Sequence, residues 1–62
     1  GGIMQIGDLV MTKRGNLALV TGVYGENYPY CDLLFCSTGH HRTGFHFEGI
    51  VWTDWKKYTL FS

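Results

Sequence analysis

Cys36, His40, His41 and His46 form a C-x3-H-H-x4-H set, and no other stretch of the chain gathers as many chemically capable side chains. Thiolate and imidazole are ligands that zinc favours, and the Cys36/His40 and His41/His46 spacings approach those of zinc knuckles. Adjacent histidines seldom both reach one ion, however, and the C-x2-4-C half of a structural zinc site is missing. The four residues are therefore weak metal candidates, and the expectation is no metal: a solvated hairpin tip, with a proton-sensitive contact surface as the other reading because imidazole titrates near neutral pH. Cys36 with His40 or His46 also pairs a nucleophile type with a base type, yet nothing in the sequence supplies the third, orienting group. Asp8, Glu26, Asp32, Glu48 and Asp54 are scattered, and neither a Gly-x-Ser-x-Gly elbow nor a phosphate-cradling glycine loop occurs. The expected protein is not an enzyme and carries no cofactor.

The aromatic residues make a stronger case. Two Trp, four Tyr and four Phe in 62 residues exceed what so small a core can bury, because a domain of this size hides only about 60% of its unfolded surface. Several rings must face solvent, where amphipathic aromatics build contact grooves. Tyr24, Tyr28 and Tyr30 bracket Pro29, and Trp52 and Trp55 flank the last turn. These five are the expected partner-binding residues. The competing reading of Trp52 and of Tyr58 is as plugs of the barrel ends, and Trp55, between Asp54 and Lys56, is the ring expected to be exposed.

Charge argues in the same direction. Five Lys and Arg balance five Asp and Glu, so the net charge is zero, whereas nonspecific phosphate binding draws its strength from cations that displace counterions. Lys13, Arg14 and Arg42 remain as the candidate nucleic-acid contacts of an alternative reading, with exposed rings to stack on bases. No run of 18 apolar residues and no basic segment followed by an apolar stretch is present, so neither a membrane span nor a signal peptide is expected. Cys31 and Cys36 stand five apart with opposite strand parity, which disfavours a bridge between them. Both are expected as free thiols in a reducing compartment, Cys31 as a small buried hydrophobe.

These residues need a scaffold, and the sequence supplies strands. Ile6 to Thr12 reads as the first, with Leu9 and Val10 as its buried pair, followed by a polar turn at residues 13–16 where Gly15 or Asn16 takes positive φ. Leu17 to Tyr24 is the second and is apolar on both parities, with a bulge or bend expected at Gly22. Tyr30 to Cys36 is the third, and Asp32 decides its orientation, so that Leu33 and Phe35 point inward. A polar loop over 37–43 with Gly39 at its bend leads to a fourth strand at Gly44 to Ile50. A short helical turn at 53–57 and a closing strand at Tyr58 to Phe61 complete the reading. Five short strands spaced roughly 10 residues apart argue for an all-β small barrel. Residues 1–5 are expected as an N-terminal extension, with Gly1-Gly2 an expression scar and the natural start at or near Met4, and residues 6–62 as the single barrel domain.

Gly7-Asp8-Leu9-Val10, Leu19-Val20-Thr21-Gly22-Val23, Cys31-Asp32-Leu33-Leu34-Phe35 and Gly44-Phe45-His46 resemble successive strands of SH3-like barrels of the KOW-related kind, which are frequent in short bacteriophage proteins. The resemblance implies an all-β, five-stranded SH3-like small barrel with one short helical turn before the last strand. It also implies a viral protein placed in the host cytoplasm or the virion. KOW-type barrels touch nucleic acid through basic residues of the first loop, where Lys13 and Arg14 stand. The type II dihydrofolate reductases share such a barrel, but their Val-Gln-Ile-Tyr stretch is absent. The expected function is a non-catalytic protein-interaction module, a phage accessory or assembly protein, that engages a protein partner or itself. The alternative is a nucleic-acid-binding barrel using Lys13, Arg14 and Arg42.

Overall fold

The β-branched and leucine-rich run Leu17–Val23 forms the middle strand around which the sheet is built. A computed structural model describes residues 4–25 and 27–53. Its order is β1 (Leu9–Thr12), β2 (Leu17–Val23), β3 (Tyr30–Phe35), β4 (His41–His46), a 3-10 turn at Phe47–Gly49, and β5 (Ile50–Thr53). All pairings are antiparallel, and the order across the sheet is β4-β3-β2-β1-β5. Among the described residues this is the all-β, five-stranded arrangement expected from the sequence, curled into a half-barrel with β4 and β5 at the two ends of the strand order.

The curl has a local cause. Register shifts interrupt β2 between Val20 and Gly22, β3–β4 between Cys31 and Leu33, and β1–β5 between Met11 and Thr12. A bulge adds twist and bends its strand, so three of them turn a flat meander into a curved sheet. The β2 bulge also switches parity. Ala18 and Val20 point inward and are fully buried, and past the bulge it is Val23, not Gly22, that stands opposite Cys31. The other parity looks apolar in the sequence because Leu17 and Leu19 are apolar side chains on the exposed face.

Met4, Val10, Ala18, Val20, Cys31, Leu33 and Ile50 form the core, with Phe35 and Phe45 packed against it. Cys31 and Leu33 face inward as their strand pattern predicts, and Phe35 on the same face is only half-buried. Val10 is fully buried while Leu9 is not, because strand alternation sends neighbours to opposite faces.

Several boundaries differ from the sequence reading: the first strand begins at Leu9 rather than Ile6, and the fourth ends at His46 rather than Ile50. The fourth strand begins at His41 rather than Gly44, since His41, Arg42 and Thr43 sit exposed on an edge strand that shows no apolar alternation. Gly44 instead supplies a positive φ of 66° within the β4 irregularity. A 3-10 turn at Phe47–Gly49 and a strand at Ile50–Thr53 follow, where the sequence reading continues the fourth strand to Ile50; the helical turn expected at 53–57 and the closing strand expected at Tyr58 to Phe61 lie, beyond Thr53, outside the described residues. The turn is capped by His46, whose Nδ1 accepts the Glu48 N–H at 3.0 Å. Gly49 is required there: a Cβ at this position would stand 2.6 Å from the Phe45 ring. Among the described residues no helix is long and apolar enough to cross a membrane.

Candidate functional site

Tyr24, Tyr28 and Tyr30 come together in a ladder at the β2–β3 end of the sheet. The rings of Tyr24 and Tyr28 meet edge to face with centroids 5.1 Å apart, and those of Tyr28 and Tyr30 are tilted at 4.6 Å. His46 adds a fourth ring, edge-on to Tyr30 at 4.8 Å. Separations and angles of this kind are those aromatic quadrupoles favour. Tyr24 is 45% and Tyr28 52% exposed, so the ladder is held together while still presenting ring surface to solvent.

The loop that carries it is fixed by backbone bonds. Tyr28 N–H donates to the Gly25 carbonyl, Tyr30 N–H to the Tyr28 carbonyl, and Phe47 N–H to the Pro29 carbonyl, the last tying the 3-10 turn to the tyrosine loop.

Asp32 anchors the other side. It lies on the outer face of β3 between the β2 and β4 irregularities. Its Oδ1 accepts both the Tyr24 hydroxyl at 2.5 Å and the Gly44 N–H at 3.1 Å. Together the two bonds hold the carboxyl below the usual carboxylate range, the Tyr24 bond contributing most. The same bond raises the Tyr24 phenol, because ionising it would place two anions together. Gly22 makes room for this arrangement, since a Cβ there would meet Asp32 Oδ2 at 2.5 Å. One carboxylate thus links the bulges that curl the sheet to the first ring of the ladder. Sequence reading used Asp32 only to orient β3, and nothing in a strand pattern signals that two bulges converge on one side chain.

At the opposite end, the β1–β2 loop and the β3–β4 turn border an open groove of about 720 Å³. Lys13, Arg14 and Arg42, the three candidate nucleic-acid contacts, all line it, together with His40, Phe35 and Phe45. Arg42 lies over the Phe45 ring, 5.4 Å from its centroid, and His40 stacks near-parallel to Phe35 with centroids 6.5 Å apart. Gly15 and Gly39, with φ of 84° and 72°, close the two turns that form the rim.

The histidines are dispersed by these roles. His41 Nε2 is bonded to Thr21 Oγ1 at 2.8 Å, His46 caps the 3-10 turn and His40 stacks on Phe35. Among the described residues no three His, Cys, Asp or Glu side chains are placed to hold one ion. Cys36 is exposed and Cys31 buried, both free. Burial, seconded by the Asp32 charge, pushes the Cys31 thiol up to about 11, and its Sγ donates weakly to the Phe45 carbonyl at 3.7 Å. A thiol so placed is inert.

Trp52 lies in β5, where its backbone pairs with Met11. Trp55 and Tyr58, like Lys56 and Lys57, lie outside the described residues. The tyrosine half of the expected partner surface is therefore one contiguous site, and the three expected phosphate contacts belong to another. Comparison with protein-family models, with curated proteins and with solved structures returned no match to this chain.

Proposed function

We propose that this protein is a non-catalytic interaction module that binds a protein partner through the Tyr24-Tyr28-Tyr30 ladder. The observation that carries the reading is the combination of exposure and fixation: two half-exposed rings in a stack held at Asp32 at one end and at His46 at the other. Pre-arranged aromatic surface loses little freedom on binding, and tyrosine is among the residues that dominate interface energetics. The accessory or assembly role implied by the resemblance to short phage barrels is compatible with such a surface.

Selection of a random peptide library against the protein tests this. Enriched peptides should lose about 30-fold in affinity, roughly 2 kcal/mol, when the protein carries Tyr28→Ala. Thermal unfolding of that variant should stay cooperative, because Tyr28 is exposed rather than core. Peptides that bind the variant as tightly as the parent protein, or a library that yields no binder, would overturn the proposal.

A further inference from the structure

We infer that Asp32 and the rings beside it form a receptor for one arginine side chain of a protein partner, on the outer face of β2, β3 and β4. With the ladder as the partner surface, on which this rests, the partner must set that arginine among apolar side chains. Strand register places the groups. Cys31 and Leu33 are fully buried, so Tyr30, Asp32 and Leu34, at the alternate positions of β3, face outward. Leu34 stands opposite Leu19 on β2 and His41 on β4, and both leucines are exposed. The Tyr24 hydroxyl reaches Asp32 from the loop end. One surface therefore runs from the tyrosine rings across Asp32 to an aliphatic pair about 7 Å further along the strands.

Charge selects what this surface takes. Among the described residues Asp32 is the one Asp, Glu, Lys or Arg on it. Arg42 stands opposite the buried Leu33 and lies over the Phe45 ring, Lys13 and Arg14 line the groove at the other end, Asp8 precedes β1, and Glu48 belongs to the 3-10 turn. Glu26, Asp54, Lys56 and Lys57 lie outside the described residues. No Lys or Arg among the described residues pairs with the Asp32 carboxylate, and His41 is the basic group whose charge bears on it. A carboxylate set between exposed rings and leucines, without a Lys or Arg of its own, is complementary to a cation brought by the partner.

Hydrogen bonding narrows the ligand to a donor. Asp32 Oδ1 accepts the Tyr24 hydroxyl and the Gly44 N–H, whereas Oδ2 accepts nothing from the described residues. The Tyr24 hydroxyl has committed its hydrogen to that bond, and the raised phenol pKa keeps it there. Its oxygen, like Oδ2, has only lone pairs to offer. Two acceptors side by side, one of them charged, suit a group that is all donor. Lysine and arginine both qualify, but only a guanidinium also lays its plane on a tyrosine ring while its fork of N–H groups reaches a carboxylate. The half-exposed Tyr24 and Tyr28 supply the ring faces.

The probe is acetyl-Leu-Arg-Leu-amide, followed by NMR through the backbone amide signals of isotope-labelled protein. The Gly44 N–H reports directly, because it is bonded to Asp32. Its signal should shift saturably with millimolar peptide, and the affinity should fall as salt rises. Citrulline in place of arginine keeps the shape and removes the charge. It should bind about tenfold more weakly, the effect of one hydrogen bond to a charged group discounted for exposure. Lysine in place of arginine should cost about threefold, since the stacked plane is lost. Asp32→Asn keeps an oxygen for Tyr24 and Gly44 and should bind the arginine and citrulline peptides equally. The spread of its amide signals should show that the variant is folded.

No shift at Gly44 with the arginine peptide would overturn the inference. So would equal affinity for the citrulline or the lysine peptide, or a preference for arginine over citrulline that survives in Asp32→Asn. Failure of the arginine site and failure of the ladder remain distinct. Library peptides that depend on Tyr28 but contain no arginine would uphold the ladder and refute the arginine site, whereas peptides indifferent to Tyr28→Ala would refute the ladder itself.

Discussion

Gly22→Ala is the substitution whose outcome depends most directly on the Asp32 hub. Gly22 sits at the β2 irregularity opposite Asp32, and an alanine Cβ would lie 2.5 Å from Oδ2, 3.1 Å from Cγ and 3.3 Å from Cβ of that residue. An oxygen at the end of a side chain can usually swing away at little cost. This one is pinned, because the other carboxylate oxygen is held by the Tyr24 hydroxyl and the Gly44 N–H. Overpacking of this kind costs about 2 kcal/mol, and the lower freedom of alanine in the unfolded chain returns about 0.7 kcal/mol. The net loss of about 1.3 kcal/mol corresponds to a fall in Tm of about 10 °C for a domain this small. Total stability at this length is only about 3–9 kcal/mol, so the change is large enough to read by circular dichroism or urea titration. In an Asp32→Ala background the carboxylate is gone and only the Cβ contact remains. Most of the Gly22→Ala cost should then disappear, giving a coupling energy of about 1 kcal/mol in a double-mutant cycle. A neutral or stabilising effect in the parent protein, or an equal loss in both backgrounds, would refute the assignment of Asp32 as the pinned group.

Two further outcomes follow from the titratable groups. Because Asp32 has a lowered pKa in the folded protein, the stability it supplies is complete above its unfolded value near about 3.9 and is lost as pH falls through the folded value. The Tm difference between the parent and Asp32→Asn should therefore be constant from about pH 5 to 7 and narrow below that, and a difference that widens in acid would contradict the hydrogen-bond account. The thiols should separate by rate: a maleimide at pH 7.5 should label Cys36, which is exposed, within minutes, while Cys31 is protected until the protein is unfolded by urea. Mass spectrometry of the labelled chain checks this, and two labels in native buffer would show that the core opens.

Strand chemistry made much of the scaffold legible in advance. The Asp32 position in the third strand oriented Leu33 and Phe35 inward, of which Leu33 is buried and Phe35 partly so; Gly15 or Asn16 marked a turn with positive φ, Gly39 a bend and Gly22 a bulge. These are local properties, set by the two-residue period of a strand and by the absence of a Cβ. The first half of the fourth strand was hidden because an exposed stretch such as His41-Arg42-Thr43 has no buried face to impose alternation. The 3-10 turn at Phe47–Gly49 was not legible because its signal is a packing event, the Phe45 ring lying where a residue-49 Cβ would stand.

The candidate sites divide along the same line. The sequence alone determined that surplus aromatics must reach the surface, that Tyr24, Tyr28 and Tyr30 would share a loop, and that cations are few. Only the tertiary structure decided that Asp32 and His46 would fix the ladder at its two ends, and that Lys13, Arg14 and Arg42 would converge on one groove. Arg42 lies 28 residues beyond Arg14, and what unites them is the antiparallel meander, which returns every second connection to the same end of the sheet. Composition counts charges, but the pairing of strands decides which of them share a surface.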